Sequence, residues 1–80
     1  MLTEYIHAAM KKAKYEILYD NNTFYAEIPG FDGVYANVDT LEECRDELEE
    51  VLEEWIFFRI SRSLSLPVVE GIELKIKEAV

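Results

Sequence analysis

Residues 40–61 run Thr-Leu-Glu-Glu-Cys-Arg-Asp-Glu-Leu-Glu-Glu-Val-Leu-Glu-Glu-Trp-Ile-Phe-Phe-Arg-Ile-Ser, and a helix is written across all of them. Thr40-Leu41-Glu42-Glu43 is a capping box. In such a box the threonine hydroxyl accepts the amide hydrogen three residues on, and the glutamate reaches back to the cap amide. Leu41, Cys44, Leu48, Val51, Leu52 and Trp55 then recur at helical spacing and form one apolar stripe. The opposite face is acidic: Asp46, Glu49, Glu50 and Glu53 neighbour one another at i, i+3, i+4 spacing, as a solvated face or a basic partner's docking face requires.

The helix changes character near its end. At about 100° per residue, Phe57 and Ile60 fall in line with the acidic side, while Ile56 and Phe58 flank the apolar stripe. A helix of this length spans about 32 Å and six-residue strands about 20 Å, so its end overhangs any sheet that such strands build. Leaving these side chains in water forgoes about 1.5–3 kcal/mol each. Ile56, Phe57, Phe58 and Ile60 therefore form a candidate interface, with a folded-back Ser63–Gly71 loop as the alternative cover. The expected assembly is a homodimer or a dimer of dimers.

Upstream, Tyr15–Tyr19 and Thr23–Ile28 are rich in aromatic and branched residues and are separated by Asp20-Asn21-Asn22, a turn composition. They predict an antiparallel hairpin. Pro29-Gly30 and Asp32-Gly33 punctuate the chain before a third strand, Val34–Val38, with Val34, Ala36 and Val38 on one face. Leu2, Tyr5, Ile6, Ala9, Met10 and Ala13 mark an earlier helix over residues 2–13, with Thr3 as its cap. After the Ser63–Pro67 loop, Ile72-Glu-Leu-Lys-Ile76 alternates like a half-buried strand. The expected order is α-β-β-β-α-β, an α+β domain over residues 1–80 with a small, mostly antiparallel sheet and helices on one face.

Seventeen acidic against eight basic residues leave a net charge of -9. Phosphate contacts need positive charge, so direct nucleic-acid binding is disfavoured, whereas a basic protein partner is favoured. With 50% hydrophobic residues the chain folds. No apolar run approaches the roughly 18 residues of a membrane span, and residues 1–12 do not read as a secretion signal. The expectation is a cytoplasmic protein.

No enzymatic constellation stands out. His7, the one histidine, lies away from the apolar face of the first helix, with no nucleophile and acid placed beside it. Cys44 sits on the apolar stripe with no lysine or histidine one turn away, which predicts a buried, inert thiol. Two-metal nuclease chemistry needs acids converging from several elements, and most acids here lie on one helix. Gly30 and Gly33 do not open a helix, as a phosphate-binding loop requires. No catalytic residue, metal site or cofactor is expected.

The ordered set Tyr15, Tyr25-Ala-Glu-Ile-Pro-Gly30, Gly33-Val34, Asp39-Thr-Leu-Glu-Glu-Cys44 and Leu66-Pro67 resembles the HicB-like antitoxin family. The resemblance covers roughly residues 8–74. It implies a partial ribonuclease-H-like fold without nuclease activity, and a HicA-like ribonuclease toxin, small and basic, as partner. An acidic domain complements such a partner. Many members carry a further DNA-binding segment, whereas this sequence ends at Val80, so operator contact is not expected. Val38 stands where members often have glycine. The alternative is a self-associating interaction protein without a cognate toxin.

Overall fold

The computed structural model describes residues 2–71. Five elements follow in order: α1 (Leu2–Lys11), β1 (Lys14–Leu18), β2 (Thr23–Glu27), β3 (Tyr35–Val38) and α2 (Leu41–Ser61). This is the expected α+β order up to α2. The strand expected at Ile72–Ile76 lies outside the described residues.

The strands form one antiparallel sheet in the order β1-β2-β3. Tyr15, Ala26 and Ala36 share one row across it, and Glu16, Tyr25 and Asn37 the next. Since side chains alternate along a strand, the first row faces the helices and the second faces away. Burial bears this out: Ala26 and Ala36 are buried, while Glu16 and Asn37 are exposed. The β1–β2 connection reverses through Asn22, whose φ of 55° lies in the left-handed region that asparagine tolerates better than most residues.

Helix α2 lies across β3 and β2. Cys44, Leu48, Leu52 and Ile56 point into the core at successive four-residue steps and meet Ala26, Ile28, Val34 and Ala36. The alanines at the sheet's centre let the helix approach closely. Ile56, expected at the interface, is 1% exposed and belongs to this core. It stands one turn beyond Leu52, so the stripe runs on beneath the overhang.

Helix α1 is shorter than its apolar pattern. Ala13 falls after the helix, Thr3 lies inside its first turn rather than capping it, and Leu2 is exposed. Tyr5, Ala8 and Ala9 are the buried residues, and small side chains here let α1 settle against α2. Neither helix packs over β1 among the described residues. Tyr15 and Ile17, on its helix-side face, therefore remain exposed.

The end of α2 is closed by hydrogen bonds from Leu64 N–H to the Arg59 carbonyl (2.8 Å) and from Ser63 N–H to the Ile60 carbonyl (3.1 Å). This Schellman arrangement needs a left-handed residue, and Ser63 supplies it at φ 54°. The chain then turns back. The Arg59 Nε–H donates to the Ser65 carbonyl at 2.7 Å, and Leu66 and Val69 enter the core.

Candidate functional site

The outer side of α2 carries the candidate surface. Thr40 begins it: its hydroxyl accepts the Glu43 amide hydrogen at 3.1 Å, the first half of the capping box. Glu42, Asp46, Glu50 and Glu53 follow as an exposed acidic ridge. Glu49 departs from it, being half-buried on the side that faces α1.

Beyond Glu54 the ridge turns apolar. Phe57 is 65% exposed, Phe58 51% and Ile60 37%. The returning segment leaves them bare because it follows the opposite side of the helix, where Leu66 and Val69 join Tyr5 and Ile56 in the core. Two arginines frame the patch. Arg59 stacks over Trp55 at 4.9 Å and Arg62 over Phe58 at 4.8 Å, so the rings are partly covered by cations of the same chain. Trp55 is itself held in place, since its indole N–H donates to the Asp32 carbonyl at 3.1 Å.

Two further surfaces were invisible to pattern reading. An open groove of about 730 Å³ runs between the end of α1 and the first half of α2, lined chiefly by Met10, Tyr15 and Leu41 with His7 and Arg45 on its walls. It exists because no helix covers β1, a fact of packing with no local sequence signal. Although Tyr15 is 42% exposed, partial desolvation of its hydroxyl raises the pKa above the ordinary value, and the Arg45 charge opposes that shift. The second surface is the sheet's outer face, where Tyr25 and Tyr35 stack at 6.1 Å on the diagonal between neighbouring rows. Burial raises the Tyr25 pKa, followed by the Glu27 carboxylate, Tyr35 and Glu16. Alternation predicted two-faced strands, but the Tyr25–Tyr35 meeting depends on register.

The residues weighed for catalysis stay apart. His7 is exposed on the groove wall. Cys44 is buried, with Sγ 3.6 Å from the Phe24 carbonyl and 3.8 Å from that of Ala36. Burial pushes its thiol pKa up, which disfavours the reactive thiolate. Among the described residues no three His, Cys, Asp or Glu side chains come together as metal ligands would. No helix among them is long and apolar enough to cross a membrane.

Comparison with known proteins follows the same outline. The crystal structure of TTHA0281 from Thermus thermophilus is similar to this chain with a TM-score of 0.89 and 35% sequence identity, over 96% of this chain and 95% of that one. No curated protein is significantly similar in sequence. The sequence pattern of the UPF0150-like family matches residues 4–67, which take in most of α1, the whole sheet, α2 and the return to Pro67. The chain belongs to the UPF0150-like family.

Proposed function

We propose that this chain is an antitoxin-type binding protein that captures a small basic ribonuclease of the HicA-like kind and blocks its RNA-binding surface. The observation that carries the reading is the ridge of Glu42, Asp46, Glu50 and Glu53, exposed along one side of a capped, rigid helix. A net charge of -9 extends the same field over the molecule. Such a field accelerates encounter with a basic surface and repels RNA, so the chain competes for the surface that RNA would occupy. Membership of the UPF0150-like family and the resemblance to HicB-like antitoxins point the same way. The chain acts by covering its partner, and no chemical step is assigned to it.

The test is titration of the purified chain into a HicA-type ribonuclease encoded beside it in the native genome, with RNA cleavage as readout. Cleavage falls as complex forms. Reversing Glu42 and Asp46 to lysine slows association on the order of tenfold or more at low salt, and added salt removes the difference. The absence of any neighbouring basic ribonuclease, or undiminished cleavage at saturating chain, defeats the proposal.

A further inference from the structure

We infer that the exposed end of α2 pairs with the same surface of a second copy of this chain, the two helices crossing antiparallel about Phe57. On the helical wheel Phe57 lies about 140° from the mean direction of Leu48, Leu52 and Ile56, so it projects away from the core, and it is 65% exposed. Phe58 and Ile60 stand on either side of it, also exposed. A patch of two phenylalanines and an isoleucine at the tip of an otherwise charged helix is a surface to be covered. The returning chain does not cover it.

Charge selects the occupant and its direction. Upstream of Phe57 the helix carries Glu50, Glu53 and Glu54; downstream, residues 58–65 contain no acid and two arginines. A parallel copy would set acid against acid. An antiparallel copy crossing at Phe57 sets each acidic half against the other's acid-free half, with Glu53 opposite Ser61 and Arg62. Arg62 is suited to this: it lies past the last helical turn and stacks on Phe58, so its guanidinium stays at the patch edge. The arrangement is isologous and closes on itself as a two-fold dimer. It leaves Glu42 and Asp46, farther up α2, open to a basic partner.

Sedimentation of the full chain alone decides the matter, so the outcome is independent of whether a toxin exists. The wild type is expected to be a dimer at tens of micromolar. Phe57→Glu with Ile60→Glu gives a monomer with an unchanged circular dichroism spectrum. Arg62→Glu alone and Glu53→Arg alone each weaken the dimer by about tenfold, and the two together restore most of it. A monomeric wild type overturns the inference, as does a dimer indifferent to the Phe57/Ile60 change. Failure of the double charge reversal to restore association also overturns it.

Discussion

The hydroxyl of Tyr5 donates a hydrogen bond to the carbonyl of Pro67, joining the first helix to the segment after the last across 62 positions of sequence. The ring behind it is wholly buried, 6.3 Å from Phe31, which in turn lies 5.1 Å from Trp55. This aromatic row closes the end of the core that the sheet does not reach. Tyr5→Phe keeps the ring and removes the bond, leaving the Pro67 carbonyl without that donor. The expected loss is about 1 kcal/mol in chemical denaturation, with an unchanged far-ultraviolet spectrum.

The same residue sets an alkaline limit. Burial raises the Tyr5 pKa above its ordinary value of 10.0, with Arg59 opposing, and burial likewise raises Cys44 above 9.0. Above those ordinary values the unfolded chain gives up protons that the folded chain retains. The folded state then binds more protons, and stability falls as pH rises. Their contribution is fully present below about pH 9 and is lost as pH climbs through the raised values. Tyr5→Phe should flatten the decline above pH 10 in a denaturation series; an equally steep decline would assign it to other groups.

Thr40 and Ser63 make opposite predictions at the two ends of α2. Thr40→Ala removes the acceptor of the Glu43 amide hydrogen and should cost about 1 kcal/mol, lowering Tm by about 4–8 °C in a domain this small. Ser63 holds a left-handed φ of 54° that a side chain disfavours. Ser63→Gly should therefore stabilise the helix end by about 1 kcal/mol. Thermal melts of the two variants should move in opposite directions.

Leu52 and Phe57 separate the two faces of the helix. Leu52 is wholly buried, and Leu52→Ala is expected to cost about 2–5 kcal/mol through lost contact and a cavity, enough to unfold much of so small a domain. Phe57→Ala should change the stability of the isolated monomer by no more than about 0.5 kcal/mol. Equal losses in dilute denaturation experiments would mean that Phe57 is packed within its own chain.

The acidic surface predicts inertness toward nucleic acid. RNA, DNA and their hybrid should remain intact with the chain in magnesium or manganese, and the promoter of its own gene should not shift in a gel at physiological salt. Cleavage that vanishes when Asp20, Glu27 or Asp39 is neutralised would reveal a metal site. A specific micromolar complex with the promoter would place operator binding in this chain.

The sequence by itself determined the elements whose signals are local. The Thr40 cap, the four-residue steps from Cys44 to Leu52 and the turn at Asp20-Asn21-Asn22 each specify their structure through neighbours a few residues away, and all three stand in the fold. It also marked Phe57 as outward-facing, because a helical wheel needs only spacing. Ile56 went astray at the stripe's edge: how wide the buried stripe is depends on what packs over it, and Tyr5, Leu66 and Val69 of distant segments widen it here. The groove beside β1, the Tyr25–Tyr35 stack and the Tyr5–Pro67 bond likewise arose only in the tertiary structure. Periodicity says which side of an element seeks cover, whereas the neighbour that supplies it is chosen by long-range packing, in which residues far apart in sequence compete for the same apolar surface.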